Sequence, residues 1–567
     1  MLCYFILIGI VACTDSQDTN NTPTKPIGNK SSDLNNDDSV SLSRDHMMPG
    51  IGIPGAGAPP GAGTPPGAGT PPSAGTPPSA GTPPVAGTPP STGTPGTDVI
   101  LPQFQHLPIM QDADGDPNDI FATYNLTVDE SIDVTVNTPN GLWITPMMRY
   151  NGLSLPPVIM AKRGTQMTIN VQNNLIEDTT IHWHGFKIPA IQDGGPDQPI
   201  PPGNSRTYNF QLRQAAAPLW FHPHKHTATQ VYRGLAGGFV ISDDISESLE
   251  STKQLPSGAF DIPVLVQDRT FESANGTGVR NLVYLNNTMT GMLGDIVLVN
   301  GVQMPALEVE TRQYRFRLYN GSNARTYDFA LADGATFSVV ASDGGLLPSP
   351  VMTDHVMLSA GERAEIVVDF SVYTLGDTVT LVSRAFSAGG PPTANLPNGA
   401  AFDVMRFDVN TAAIDDVLLY TQLPSNADIN NRLSASQASA NRDFVMSMGG
   451  MGPGGGMQFL INGKSFDINR VDELVASGST EIWTISNISM MDHPFHAHAI
   501  QWQVLDRNNL PPSGVDLGWK DTVLVKPGEV VRIIGQFDPV VNIGKYMYHC
   551  HILEHEEAGM MGIFEIL

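Results

Sequence analysis

Residues 165–172 read TQMTINVQ, residues 481–486 read EIWTIS, and residues 529–535 read EVVRIIG. Each run is short, rich in valine, isoleucine and threonine, and set between glycine, proline and asparagine turns. That is the pattern of strands rather than helices. The same texture extends outward in both directions, from Asp98 to Leu567, and long helical periodicity is scarce. An all-β body of antiparallel sandwiches or barrels is therefore predicted. Some 470 residues at roughly 150 per unit make three sandwich domains. A Ser/Glu-rich stretch at 243–253 and a polar stretch at 427–441 place them at 98–245, 246–425 and 426–567.

Charge narrows the function. The chain has 567 residues, with 56 Asp and Glu against 30 Lys and Arg, a formal net charge of −26. A nucleic-acid partner is excluded, because neutralising phosphates needs the opposite bias. The only cysteines are Cys3, Cys13 and Cys550, so no disulfide framework holds the fold.

The first 97 residues read as export signal and tether. Leu2 to Ala12 form one apolar run, shorter than the roughly 20 residues that span a bilayer, and residues 1–12 read as a signal peptide. The run ends Ile10-Val11-Ala12-Cys13, which resembles a bacterial lipobox, with Cys13 as the acylated residue; an ordinary cleaved signal is the alternative. The implied address is the bacterial cell envelope, as a lipoprotein of the outer membrane or periplasm, with Cys13 the sole membrane contact. Residues 13–97 read as a disordered linker. They are first Asn/Asp/Ser/Thr rich, then a T-P-P-x-A-G repeat with threonines at Thr64, Thr70, Thr76, Thr82, Thr88 and Thr94. Such a composition buries no core and favours polyproline II. As a coil it holds the folded part roughly 50 Å from the anchor.

Ten of the fourteen histidines fall in four clusters: His182-Trp183-His184, His222-Pro223-His224, His493-Pro494-Phe495-His496-Ala497-His498, and His549-Cys550-His551 followed by His555 and Met560. Side chains at i and i+2 of a strand share a face, so each H-x-H presents two imidazoles together. In the last cluster His549 and His551 face one way and Cys550 the other. A metal held by Cys550 is then joined through continuous backbone to whatever the flanking histidines hold. A thiolate, two imidazoles and a thioether (Cys550, His493, His555, Met560) form the ligand set of a blue-copper electron-transfer site, whereas zinc favours other sets. Eight further imidazoles are too many for one ion and suit three coppers. One H-x-H pair in a β protein is more often an accident than a site. Four pairs, with the body's one cysteine inside one of them, are not accidental. His46, His106, His226 and His355 stay unassigned.

These motifs resemble those of the multicopper oxidases, and more narrowly of the three-domain, laccase-like copper efflux oxidases of bacteria. The likeness covers residues 110–567. It includes Asp193-Gly194-Gly195-Pro196, Ile262-Pro263-Val264 with Gln267-Asp268, Asn323-Ala324-Arg325, Ser342-Asp343-Gly344-Gly345 and Gly518-Trp519-Lys520-Asp521. The resemblance implies three cupredoxin-like Greek-key sandwiches and four copper ions. His182 and His496 would hold the type 2 copper. His184, His222, His224, His498, His549 and His551 would hold the type 3 pair, and His493, Cys550 and His555 the type 1 copper, with Met560 axial. Asp193 and Glu556 would deliver protons while dioxygen becomes water, and Cys550 would carry the electrons.

The same resemblance points to a cuprous-ion site at Met491 and Met448. The two acids of that group's site are absent, with Ser489 and Pro453 in their places, and Asp492 stands in as the neighbouring acid. Met446, Met448, Met451 and Met457 read as a glycine-rich loop (MSMGGMGPGGGM). Thioethers select Cu(I); such methionines could equally cover apolar surface. The expected function is a monomeric oxidase passing electrons from Cu(I), and also Fe(II), to dioxygen in copper tolerance. A phenol or bilirubin oxidase is the enzymatic alternative. A copper-free scaffold of the same fold and a copper store are the others, and the complete ligand set weighs against both.

Overall fold

The computed structural model describes residues 101–113, 115, 120–273, 278–451, 456–540 and 543–567. The signal, Cys13 and the linker lie outside the described residues. The chain is mostly strand, 47% against 8% helix, as its turn-punctuated β-branched runs dictate.

Three apolar cores organise the strands. One, around Trp183, Tyr208 and Phe239, lies within residues 122–241. A second, around Phe316, Phe370 and Phe407, is built almost wholly from residues 262–409. The third, around Trp483, Trp502 and Phe564, belongs to residues 444–566, with Ala324 packed in. Two of the sandwiches share a sheet. An eleven-stranded sheet passes from Phe121–Thr138 through Val302–Gln303 into Asp261–Arg269, joined at the single pair Asn137 with Val302.

The sandwiches are mixed rather than purely antiparallel, contrary to the sequence expectation. Phe121–Thr138 runs parallel to Gln166–Asn173, and Ala440–Met451 runs parallel to Thr480–Asn487. Parallel neighbours need a crossover connection; here the intervening chain crosses to the opposite sheet and returns, the Greek-key route. The methionine-rich stretch also departs from its reading as a loop. Ala440–Met451 and Met457–Ile461 form an antiparallel hairpin, with Met448 opposite Phe459. Backbone ladder bonds to Met457–Ile461 hold residues 446–451 extended, and they need no particular side chains.

Register sets up the site. His182–His184 pairs antiparallel with Ala217–His222, placing His182 opposite His222. His493–Ala497 pairs with Gly544–Cys550, placing Phe495 opposite Cys550 and His496 opposite His549. Directly opposed residues share a face. Cys550 and Phe495 therefore face the core, as does His493 two residues earlier, while His496 and His549 face outward. The three-residue spacing of His493 and His496 thus divides one strand between two centres.

Candidate copper centres

On the core face, His493 Nδ1 lies 3.3 Å from Cys550 Sγ, and His555 Nδ1 lies 3.6 Å from it. The two imidazole nitrogens are 3.3 Å apart. Met560 is fully buried, and its carbonyl accepts from the Cys550 amide at 3.0 Å. The two sulfur-bearing residues thus stand on either side of the short helix Leu553–Glu557, Cys550 at the end of the strand before it and Met560 just before the strand after it. Burial raises the Cys550 thiol and lowers His555 to about 3. The imidazoles are neutral and available as ligands; the thiol needs a bound cation to become thiolate. Replacing Met560 with Leu is expected to leave the protein blue and to raise its type 1 reduction potential, since losing an axial donor disfavours Cu(II). Potentiometric titration of the blue band checks this, and a lowered potential would show that Met560 is not axial.

On the outer face eight imidazoles converge. Three sets place their ligand atoms within 4.8 Å of one another: His184, His222 and His551; His224, His498 and His549; and His182, His184 and His496. His222 Nε2 is 3.4 Å from His184 Nδ1. His224 Nε2 and His498 Nε2 are each 3.2 Å from His549 Nε2. Burial lowers His222 and His496 to about 3 and His549 to about 4, so these rings also carry free lone pairs at neutral pH.

The opposite ring nitrogens are anchored. His182 Nδ1 donates to the Asp193 carbonyl at 3.0 Å, His222 Nδ1 to the Pro223 carbonyl at 2.8 Å, and His496 Nδ1 to the Asp521 carbonyl at 2.9 Å. Such bonds fix which nitrogen faces inward. His182 Nε2, His496 Nε2 and both nitrogens of His551 are buried with no hydrogen-bond partner. Unpartnered buried imidazole nitrogens are costly unless they bind something, and a cluster of copper ions fits this donor set.

Two carboxylates flank the imidazoles. Asp193 Oδ2 is 2.7 Å from His498 Nδ1. Glu556 lies 3.4 Å from His224 Nδ1 and 3.3 Å from His549 Nδ1, and accepts from the Thr227 hydroxyl at 2.9 Å. Burial pushes both carboxyls well above their usual range.

The residues expected to bind substrate copper separate into two places. Met491 and Asp492 line a cavity of about 330 Å³, together with Gly389, Gly390 and Pro494. Asp492 Oδ2 accepts from the Gly389 amide at 2.8 Å, while Oδ1 is buried with no partner. Met448 is not on this cavity. It sits half-buried on the hairpin, against the third core. Its neighbour Phe459 covers His555, ring centroids 4.8 Å apart. Ser489, noted in the sequence only for lacking a carboxylate, contacts the type 1 set: its hydroxyl oxygen is 2.7 Å from His493 Nε2 and donates to Asn487 Oδ1 at 2.8 Å. Its spacing, four residues before His493, is the one sequence signal that could have marked it. His226 is exposed, at φ 52°.

The division across one strand, a thiol with two imidazoles on the core face and eight imidazoles on the outer face, gives two separate donor clusters, each suited to metal ions. Three family models described as multicopper oxidase match residues 131–246, 261–398 and 427–567, and the chain belongs to the multicopper oxidase family. It is 36% identical over 427 residues to multicopper oxidase mco of Staphylococcus aureus, covering 74% of this chain and 83% of that protein. The crystal structure of laccase from Pediococcus acidilactici superposes with a TM-score of 0.70 at 33% identity, covering 84% and 95% of the two chains. Cell division protein FtsP of Photorhabdus laumondii is 30% identical over 432 residues, covering 75% of this chain and 86% of that one.

Proposed function

We propose that this oxidoreductase oxidises cuprous ion, and ferrous ion by the same route, one electron at a time, and reduces dioxygen to two waters in the service of copper tolerance. The observation that carries the substrate is the pairing of a thioether and a carboxylate, Met491 and Asp492, on the cavity beside His493. A soft donor selects Cu(I), and a buried carboxylate oxygen with no partner offers a counter-charge.

The residues suggest a division of labour. His493, Cys550, His555 and Met560 would hold the type 1 copper, His182 and His496 the type 2, and His184, His222, His224, His498, His549 and His551 the type 3 pair. When bound, these four coppers supply storage and transfer of single electrons. Cys550 places a ligand of the first centre one residue from two ligands of the second, the shortest covalent path available. Asp193, beside His498, and Glu556, beside His224 and His549, would deliver protons to the imidazole cluster, where four are needed for each dioxygen. Burial of the cluster keeps partly reduced oxygen from bulk water.

Exchanging Met491 for Leu and Asp492 for Asn together is expected to lower kcat/KM for Cu(I) at least tenfold, about 1.4 kcal/mol of transition-state stabilisation. Oxidation of a phenol stays level. Met448→Leu, off the cavity, is expected to change neither. Equal losses on both substrates would mean a damaged type 1 centre. No loss on Cu(I) would favour the second reading, a laccase-like phenol or bilirubin oxidase, which the cavity's volume and the likeness to a laccase support. The scaffold reading suggested by the likeness to FtsP is opposed by a ligand set complete at all twelve positions.

We place the enzyme in the bacterial cell envelope as a monomer tethered through Cys13. Cys13→Ala is expected to shift it from membrane to soluble fractions at unchanged specific activity. Wild-type protein found wholly soluble with an unmodified N-terminus would refute the tether.

A further inference from the structure

Residues 261–398, matched by the middle family model, supply none of the twelve ligands, yet one of their turns reaches the imidazole cluster. The turn lies between the strands His355–Leu358 and Arg363–Asp369. At its apex Gly361, φ +84°, touches His551: a Cβ there would lie 2.8 Å from His551 Nδ1, so no side chain fits. Two residues on, Arg363 grips Asp521 with both arms. Its Nη1 donates to Oδ1 at 2.6 Å and its Nη2 to Oδ2 at 2.7 Å. Its Nε donates to the Pro218 carbonyl at 2.8 Å, and Nη2 also to the Asp343 carbonyl at 3.1 Å. One guanidinium thus ties together the parts of the chain matched by all three family models.

Asp521 in turn holds two of the cluster histidines. Its Oδ1 lies 3.1 Å from His184 Nε2, and its carbonyl accepts from His496 Nδ1. Gln501 donates to Oδ2 at 2.9 Å, and the Thr522 hydroxyl to Oδ1 at 3.0 Å. A hydrogen bond at His184 Nε2 leaves Nδ1 as the inward lone pair, which is the atom facing His222. Gly185 makes room for the pair, since a Cβ there would meet Asp521 Oδ2 at 2.4 Å. Behind Arg363 stands Lys520, 2.9 Å from Asp343 and 2.8 Å from Glu362.

Five charged groups are therefore buried around one turn. Desolvation makes such networks expensive, and replacing them with apolar residues often costs a fold nothing. A network of this kind is explained better by orientation than by stability. Its two cations against three carboxylates also leave one net negative charge beside the imidazoles, where metal cations would sit. A guanidinium fork is suited to fixing a carboxylate plane, which an ammonium is not.

We propose that Arg363 is a positioning residue for copper: by clamping Asp521 it fixes the ring orientation of His184 and His496, so that the ligand-free middle segment sets how tightly the type 2 copper and its type 3 neighbour are held. This rests on reading these histidines as copper ligands.

The test compares copper-loaded wild type with Arg363→Lys, which keeps the charge and loses the fork. Arg317→Lys serves as control: Arg317 is a buried arginine of the same segment, paired with Asp261 and Glu365 and touching no copper ligand. Copper per chain is followed during titration with a chelator, together with the type 2 paramagnetic resonance signal and the blue absorption. Arg363→Lys is expected to release copper from the imidazole cluster at 10- to 100-fold lower chelator concentration, the usual cost of losing a partner of a metal ligand. Its type 2 signal is expected to be altered and its blue band intact. Arg317→Lys is expected to lose thermal stability but keep its copper. Wild-type retention in Arg363→Lys, or equal loss in the control, would overturn the proposal. If Arg363→Lys does not fold, Arg363→Met combined with Asp521→Asn removes the ion pair as a unit, leaves the net charge of the network unchanged, and is expected to show the same loss.

Hydrogen exchange on the wild type needs no variant. Copper loading is expected to slow the amides of residues 359–363 at least tenfold, and unchanged exchange there, with slowed exchange around the histidines, would overturn the proposal. Wild type that takes up no copper at these histidines would instead refute the ligand reading itself.

Discussion

Cys550→Ser is expected to give a folded, colourless protein whose oxidase activity falls by roughly 10³-fold or more, about 4 kcal/mol. The side chain keeps its size in a fully buried site, so packing survives. What disappears is the soft donor between His493 and His555. The eight imidazoles on the opposite face are untouched and should still take up copper, so metal analysis separates loss of one centre from loss of the fold. Visible absorption, copper content and oxygen uptake on the same sample make the check. A variant that stays blue or stays active would refute the assignment of Cys550.

The second large effect is expected at Asp193. Asp193→Asn preserves shape and still leaves a polar atom near His498 Nδ1, but the side chain no longer carries an exchangeable acid proton. Loss of a positioned proton donor typically costs 10²–10⁴-fold, so turnover with dioxygen should fall about 100-fold, near 2.7 kcal/mol. Reduction of the blue centre without oxygen should keep its wild-type rate, because Asp193 contacts His182 and His498 and none of the type 1 residues. Stopped-flow bleaching under argon, followed by mixing with oxygen, separates the two half-reactions. A slowed bleaching step would place Asp193 in the electron path or in the fold instead.

How far the sequence reached depended on range. The H-x-H pairs were legible because the two-residue period of a strand is a local property, and the opposite facing of Cys550 followed from it. The three-residue step from His493 to His496, which splits one strand between two centres, was written in the same local code. The Met/Gly stretch misled, because glycine punctuates turns more often than it lines a hairpin; here the glycines lie in and beside a hairpin whose second arm is Met457–Ile461. Separation hid the anchoring of His184 altogether. Asp521 is 337 residues from His184, and Arg363 is 158 from Asp521; no periodicity links them. The family resemblance alone drew Met448 to the substrate site, whereas the chain's path puts it on the hairpin, away from the cavity of Met491 and Asp492.

The proposed reaction delivers single electrons taken from a reductant together to dioxygen, yielding water. Its most direct test is the stoichiometry of the copper-loaded enzyme with Cu(I), measured with an oxygen electrode and a peroxide assay in one vessel. Four equivalents of Cu(I) consumed per dioxygen, with no hydrogen peroxide accumulating, is the expected result. Two equivalents per dioxygen with stoichiometric peroxide, or oxidation of Cu(I) without enzyme-dependent oxygen uptake, would contradict it.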